Sequence, residues 1–284
     1  MPRTLDPDWE KKMLRGFILA LVLILTGCAG PSNTNPRGPL HLAATGDHRP
    51  EEHIDRNQYR NPVETLMFFG VRPDMTVVEI WPGGAGWYTE VLAPVLRDKG
   101  ALYAAQFPPD NDIDFYTRSL RQFHDKLASR PELYDRVQVT HLGPPEHTDI
   151  APAGSADRVL TFRNVHNWAK AGKTAAFFDS FYKALRPGGI LGVVEHRAPD
   201  GRPLKEQIQS GYMTEDYVIS MAEKAGFKLV ERSEINANPE DDADHPEGVW
   251  TLPPTLRLGK TNREKYLEIG ESDRMTLKFV KPES

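Results

Sequence analysis

Residues 77–90 read Val-Val-Glu-Ile-Trp-Pro-Gly-Gly-Ala-Gly-Trp-Tyr-Thr-Glu, and this stretch decides the fold. Its first four residues continue a short apolar and β-branched run that begins at Met75, and such a run predicts a buried strand. A proline and three glycines end the run, and residues 87–97 resume with helical spacing. A strand, a glycine-rich turn and a helix in this order form a nucleotide-binding geometry, because glycine lets the backbone approach a ligand and a helix N-terminus offers unpaired N–H groups. Glu79, near the strand end, can accept hydrogen bonds from amine or hydroxyl groups of a ligand.

Strands and helices alternate along the rest of the chain. Further strands are predicted at residues 101–105, 136–140, 157–162, 190–195, 227–232 and 274–280, with helices at 112–128, 174–185 and 215–225. This alternation predicts an α/β fold: a Rossmann-like, doubly wound, seven-stranded and mostly parallel sheet with helices on both faces. The last strand follows a loop instead of a crossover helix, so we expect it to insert antiparallel.

Composition narrows the class of protein. A chain of 284 residues with 39% hydrophobic and 26% charged residues is typical of a folded soluble protein of one large or two small domains. The net charge of -5 gives no basic footprint, so no nucleic-acid partner is expected. The single cysteine excludes an intramolecular disulfide and a multi-cysteine metal site.

That cysteine, Cys28, follows a targeting pattern. Basic residues precede an apolar segment at residues 16–25, and Leu25-Thr26-Gly27-Cys28 comes next. This order predicts a secretory signal peptide over residues 1–27, whose apolar segment is too short to span a bilayer. Leu25–Cys28 resembles the lipobox of bacterial lipoproteins, which implies an exported protein attached to the membrane through lipidated Cys28. By the same resemblance, Ala29 implies the periplasmic face of the outer membrane. An uncleaved anchor or a chance buried cysteine is the alternative.

Two segments lack a periodic apolar pattern. Residues 28–50 are rich in proline, glycine, asparagine and threonine, which predicts a flexible tether, with the folded domain at 51–284. Residues 236–260 form a long irregular interval that contains Trp250. Long irregular loops in compact domains are usually functional lids or disordered insertions, and the apolar neighbours of Trp250 favour docking on the domain.

The order of elements resembles the class I S-adenosylmethionine-dependent methyltransferase fold. The resemblance is carried by Val77–Thr89, Leu102–Gln106, Asp157–Trp168 and Leu185–Glu195, and its most specific piece is Leu185-Arg186-Pro187-Gly188-Gly189-Ile190. More narrowly, residues 79–89 resemble exported bacterial proteins labelled predicted methyltransferases. The resemblance implies S-adenosylmethionine as cofactor, a transferase activity on a small-molecule acceptor, and a methyltransferase-like domain over residues 51–284.

The resemblance also implies which residues bind the cofactor. They are Glu79, Trp81, Gly83, Gly84, Gly86, Tyr88 and Gln106. Gln106 stands where most such enzymes carry an Asp or Glu that holds the ribose hydroxyls, and an amide lacks that charge and accepts through one oxygen. Trp81 replaces the usual first glycine, where its indole would stack on a ligand or crowd the pocket.

In this fold the residues after the fourth strand lie over the transferred methyl group, which implies that Asn164 and His166 are catalytic. Methyl transfer from a sulfonium is an in-line displacement that needs an aligned acceptor and a route for its proton. An unperturbed imidazole pKa of about 6.5 suits His166 as the general base. In the alternative interpretation, His166 and Asn167 hydrogen-bond the start of the next helix.

The predicted substrate-pocket residues are Arg163, Trp168, Glu195, His196 and Tyr59. Glu195 either contacts the substrate or pairs with Arg197 or Arg163. His166, Glu195 and His196 together have the ligand types of an imidazole–carboxylate metal site, but their spacing is not diagnostic and we expect no metal.

Two functions follow. The first is an exported, lipid-anchored methyltransferase. The second is a non-catalytic lipoprotein that keeps the fold and binds another small molecule, which Trp81, Gln106 and the cytosolic origin of the cofactor favour. A dehydrogenase is less consistent with the residues, because Gly83–Gly86 does not give Gly-x-Gly-x-x-Gly.

Overall fold

A computed structural model describes residues 37–283 of the chain. The predicted signal peptide and Cys28 lie outside the described residues. Between residues 37 and 283, no helix has both the length and the apolar character needed to cross a membrane.

The centre of the domain is one seven-stranded sheet in the order β3-β2-β1-β4-β5-β7-β6. The four pairings from β3 to β5 are parallel, and β7 is antiparallel to both of its neighbours, β5 and β6. The predicted mixed sheet and the antiparallel last strand are therefore confirmed. The strands are β1 (Thr76–Ile80), β2 (Ala101–Gln106), β3 (Val137–His141), β4 (Ala156–Phe162), β5 (Leu185–His196), β6 (Lys228–Ser233) and β7 (Arg274–Val280).

Helices cover both faces of this sheet. Large buried side chains such as Trp168, Phe178 and Phe181 belong to the core on one face, and Leu66 and Leu92 belong to the core on the other. The helices are α1 (Arg37–Thr45), α2 (Glu51–Ile54), α3 (Asn57–Arg60), α4 (Pro62–Phe68), α5 (Thr89–Leu96), α6 (Asp114–Ser129), α7 (Pro131–Tyr134), α8 (Val165–Lys170), α9 (Thr174–Ala184), α10 (Leu204–Ser210), α11 (Glu215–Lys224) and α12 (Arg263–Ile269), with a 3₁₀ turn at Gly248–Thr251.

The structure corrects the predicted tether, because residues 37–50 are folded. Helix α1 packs against α4 and α5, and it buries Leu40, Ala43 and Ala44, which recur at the helical spacing of three and four residues. The buried guanidinium of Arg49 donates to the carboxylate of Glu90 at 3.0 Å. The abundance of proline and glycine around this short apolar stripe concealed it in the sequence.

The strand order reverses at β1, which lies between β2 on one side and β4 on the other. In open α/β sheets, ligands bind beyond the carboxyl ends of the strands at such a reversal. The turn at residues 81–88 leaves β1 at this point.

Candidate functional site

The turn after β1 combines two left-handed glycines with close packing. Gly83 and Gly86 have φ angles of 70° and 56°. A Cβ atom at Gly84 or Gly86 would lie 2.4 or 2.9 Å from side-chain atoms of α6, whereas a Cβ at Gly83 would meet nothing within 4 Å. Gly84 and Gly86 therefore let α6 pack on the turn, and Gly83 is the glycine of this turn that faces open space.

Gly83 borders an open cleft of about 460 Å³, hereafter the main cleft. This volume lies in the range of small-molecule sites. Residues after β1 and β4, the end of β5, the start of β7, the start of α6 and the interval after β6 contribute its walls. They include Trp81, Pro82, Gly83, Phe107, Ile113, Phe115, Tyr116, Phe162, Arg163, Asn164, His166, Asn167, His196, Trp250, Pro253, Pro254 and Arg274.

His166 lines the main cleft and forms a hydrogen-bonded dyad with Glu195, which was predicted to line the substrate pocket but is buried behind the imidazole. His166 Nδ1 lies 3.0 Å from Glu195 Oε1, and the Glu195 side chain is fully buried. The backbone N–H groups of Val165 and His196 also donate to this carboxylate, at 2.5 and 2.9 Å. A carboxylate held in this way favours the tautomer with the proton on Nδ1, which leaves Nε2 of His166 as the basic atom. Of the two alternatives for Glu195, the pairing with Arg197 or Arg163 is wrong.

Asn164 and His196 flank the dyad. The Asn164 amide nitrogen donates to Ile80 O at 3.0 Å and so ties the end of β4 to the end of β1. His196 Nδ1 lies 2.6 Å from Ser272 Oγ. Burial, together with the nearby His166, lowers the pKa of His196 well below its usual range, so this imidazole is neutral at pH 7.

The indole of Trp81 lies between the main cleft and a second cavity of about 320 Å³, the side cavity. Its Nε1 donates to Leu142 O at 2.9 Å, and its ring contacts those of Tyr116 and Phe177. Residues that follow β2, β3 and β4 line the side cavity: Pro108, Asp110, Asn111, Gly143, Pro144, Glu146, His147, Asn167 and Trp168. Trp81 is thus a shared wall of both spaces.

Comparison with known proteins agrees with this architecture. A scan against protein-family models finds no match, and a search of the curated proteins finds none either. Among solved structures, a SAM-dependent methyltransferase from Aquifex aeolicus aligns with a TM-score of 0.51 and 18% identity, over 64% of this chain and 87% of its own. The S-adenosylmethionine-dependent methyltransferase SibL aligns with a TM-score of 0.50 and 18% identity, over 80% of this chain and 56% of its own. The [4+2]-cyclase SpnF aligns with a TM-score of 0.54 and 14% identity, over 88% and 94%.

These likenesses, together with the strand order, decide the architecture. This chain has the class I methyltransferase fold. Identities below 20% show the fold alone, and the cyclase among the solved structures illustrates that the methyltransferase fold also carries other reactions.

Two predicted cofactor residues of the methyltransferase fold are buried behind the cleft wall. Glu79 is 2% exposed and accepts a 2.6 Å hydrogen bond from Thr89 Oγ1. Burial raises the pKa of Glu79 to about 8, so the carboxyl is largely protonated at pH 7. Gln106 is fully buried; its amide nitrogen donates to Gly83 O at 2.8 Å, and its amide oxygen accepts from Phe107 N. Both side chains support the turn from behind.

Three predicted contact residues lie away from the main cleft. Tyr88 is 4% exposed and stacks on Phe162 at 3.5 Å, beneath the turn. Trp168 is fully buried, stacks on Phe177 and borders only the side cavity of the two spaces. Tyr59 does not line the main cleft, although its carbonyl oxygen accepts a hydrogen bond from Arg274. Aromatic packing explains the first two positions, since such rings bury large apolar areas.

Three further residues line the main cleft but were not predicted from the sequence: Arg274, Trp250 and Tyr116. Arg274 is the first residue of β7, which runs antiparallel to β5 and pairs with it at His196. An antiparallel last strand begins at the edge of the sheet where the parallel strands end. The predicted topology was therefore sufficient to place Arg274 at the cleft. Trp250 was recognised as docked, and its place beside the cleft depends on the path of the long interval.

Two groups of side chains bring three potential metal ligands within 4.8 Å of one another, among the described residues. In the first, Glu195 is already used by His166 and by two backbone N–H groups. In the second, Asp241 accepts hydrogen bonds from Tyr212, from backbone N–H groups and from His245. Hydrogen bonding within the protein accounts for both groups.

Proposed function

We propose that this chain is an S-adenosylmethionine-dependent methyltransferase that acts on a small molecule. The observation that carries the proposal is the His166–Glu195 dyad, whose His166 borders the same cleft as Gly83 at the reversal of the strand order. A general base must lie within reach of the proton that it removes, and the main cleft supplies that proximity.

The main cleft and the side cavity fit different parts of the cofactor. Gly83 leaves the backbone open to the methionine part, and the side cavity has aromatic walls for an adenine ring. The indole N–H of Trp168 is buried there without a hydrogen-bond partner in the described part of the chain. Asp110, in the loop after β2, lines the side cavity and offers the carboxylate that Gln106 lacks.

S-adenosylmethionine, when bound, supplies an electrophilic methyl group. In the proposed reaction His166 Nε2 removes the proton of the acceptor, and Glu195 holds the imidazole in orientation and stabilises its protonated form. Asn164, fixed by its bond to Ile80 O, presents its remaining amide oxygen to the acceptor. The aromatic walls exclude water and align the acceptor, which supplies most of the rate in a displacement of this kind.

Titration calorimetry of the purified protein with S-adenosylmethionine and S-adenosylhomocysteine tests cofactor binding. Gly83→Ala places a methyl group into the main cleft and should weaken binding. Gly154→Ala is the matched control, because Gly154 has a φ angle of 68°, also meets nothing within 4 Å, and does not line either cavity. Equal affinities of the two variants would count against the proposed site.

A second experiment tests the dyad. A panel of small acceptors is incubated with S-adenosylmethionine, and release of S-adenosylhomocysteine is measured. His166→Ala should abolish turnover while cofactor affinity stays near that of the wild type. Glu195→Gln should reduce turnover less, because it keeps a hydrogen-bond acceptor for the imidazole. Unchanged turnover of His166→Ala would exclude His166 as the base.

Trp81 and Gln106 favour a second function, a binding protein without catalysis. The Trp81 indole separates the two cavities that one cofactor molecule would have to share, and the Gln106 amide is used within the protein. If the folded protein binds neither S-adenosylmethionine nor S-adenosylhomocysteine, this second function is the better account.

Export and lipid attachment are a further part of the proposal, and they rest on the sequence up to and including Ala29. Lipidation at Cys28 would hold the domain on the periplasmic face of the outer membrane. Cys28→Ser should abolish incorporation of radiolabelled palmitate and leave an uncleaved precursor. Equal labelling of wild type and variant would refute the lipid anchor.

A further inference from the structure

Four arginines surround a single carboxylate at the β4, β5 and β7 end of the main cleft. Glu271, 2% exposed, accepts from Arg56 Nε at 2.5 Å, from Arg60 Nε at 3.0 Å and from Arg274 Nη2. Arg163 adds a fourth guanidinium. Burial alone would raise the pKa of Glu271, but the surrounding guanidinium groups hold it well below its usual range. One negative charge is thus shared among four positive charges.

Two of these arginines line the main cleft with unused hydrogen-bond donors. The structure records no hydrogen bond or ion pair for the Arg163 side chain within residues 37–283. Arg274 is 2% exposed, and its Nε is buried without a partner in the same range. Burial, together with the charge of Arg274, lowers the pKa of Arg163 to about 10, so Arg163 remains cationic at pH 7. A buried donor without a partner, such as Arg274 Nε, is costly, and an anion would offset that cost.

Nothing acidic competes for these donors in the cleft itself. The lining residues of the main cleft include Arg163, Arg274, His166 and His196 but no aspartate or glutamate. Exposed apolar side chains also line the cleft: Phe115 and Ile113 are 59% and 52% exposed. The combination suits a molecule with one acidic group and an apolar body.

The strand order places Arg274 at the start of β7, with β4 and β5 between it and the strand that leads into the turn. Arg274 pairs with His196 of β5, whereas Gly83 follows β1, and β4 lies between β1 and β5. An anion at Arg163 and Arg274 would therefore lie on the same side as His166, where the proposed base meets the acceptor. We propose that the methyl acceptor is an acidic amphipathic small molecule, whose carboxylate or phosphate binds Arg163 and Arg274. That the ligand is a methyl acceptor rests on the proposed function. That the ligand is acidic rests on the residues of the cleft alone.

Ligand-observed NMR with benzoate, phenyl phosphate and the neutral benzamide tests the inference on the purified protein. We expect both anions to bind more tightly than benzamide, and Arg163→Gln to weaken the anions by about tenfold or more with little change for benzamide. Arg163 is the preferred position, because the structure records no side-chain hydrogen bond there for the substitution to break, within residues 37–283. Arg163→Lys should restore part of the affinity, and Arg232→Gln, an exposed arginine of β6, should change nothing.

Anion affinities equal to that of benzamide, or unchanged by Arg163→Gln, would overturn the inference. S-adenosylhomocysteine is titrated into the same variants to identify the source of the anion. If Arg163→Gln weakens S-adenosylhomocysteine as strongly as it weakens the anions, the arginines bind the carboxylate of the cofactor and the inference fails. If the wild type binds the anions through Arg163 but does not bind S-adenosylhomocysteine, the methyltransferase is refuted, and the acidic ligand is that of a binding protein.

Discussion

The buried carboxyl of Glu79 predicts a specific dependence of stability on pH. Its pKa is raised by burial from an ordinary value of 4.5 to about 8. Between these values the folded protein binds a proton that the unfolded chain releases, so the free energy of unfolding falls as pH rises. At about 1.4 kcal/mol for each pH unit, the full interval corresponds to about 5 kcal/mol of stability lost by pH 8. Glu79→Gln keeps the shape of the protonated carboxyl and removes this proton linkage.

Urea denaturation at pH 5.5, 6.5 and 7.5 measures the effect. The free energy of unfolding of Glu79→Gln minus that of the wild type should grow by about 2.7 kcal/mol over these two pH units. The difference cancels the titration of all other groups, including His196. Glu223→Gln, an exposed position, should give a curve parallel to that of the wild type. If the curve of Glu79→Gln is also parallel to that of the wild type, the raised pKa is refuted, and Glu79 is charged behind the turn.

Two further predictions concern stability, one in helix α1 and one in the turn after β1. Leu40→Ala should lower the free energy of unfolding by about 2–5 kcal/mol, because Leu40 is fully buried in the core. Leu42 is 73% exposed, so Leu42→Ala should change it by less than about 0.5 kcal/mol. Equally small effects of the two substitutions would support the flexible tether that the sequence predicted for this segment. Gly86→Ala should destabilise the protein by about 1–3 kcal/mol more than Gly154→Ala. Both glycines have a left-handed backbone, but only a Cβ at residue 86 would meet Phe123. Equal losses of stability, measured by thermal denaturation, would contradict the packing of α6 on the turn.

The sheet was predictable because its information is local. Each strand carries a run of apolar or β-branched residues between turn signals, and the run at residues 274–280 matches β7 residue for residue. The extension of β5 back to Leu185 was not predictable from such a run, since Arg186-Pro187-Gly188-Gly189 reads as a turn, yet Leu185 still pairs with Ala156. Pairing partners, and not the residues themselves, set that boundary.

Residue roles at the site were predictable only in part, because they depend on contacts between distant segments. His166 was found from its position after a predicted strand. For its partner Glu195, the sequence left two alternatives, substrate contact or pairing with an arginine, because the sequence does not specify side-chain direction. The burial of Gln106 under Gly83 likewise depends on how the turn folds back over β2.

The antiparallel last strand is the reason that the cleft has a basic end at all. A parallel seventh strand would begin at the far edge of the sheet and carry Arg274 and Glu271 away from the cleft. Because β7 runs antiparallel to β5, its first residue lies beside His196, and the Glu271 carboxylate that precedes it meets Arg56 and Arg60 from the N-terminal helices. One carboxylate holds these arginines and Arg274 in place but is too little charge to neutralise them. The direction of a single strand therefore decides which end of the site can receive an anion.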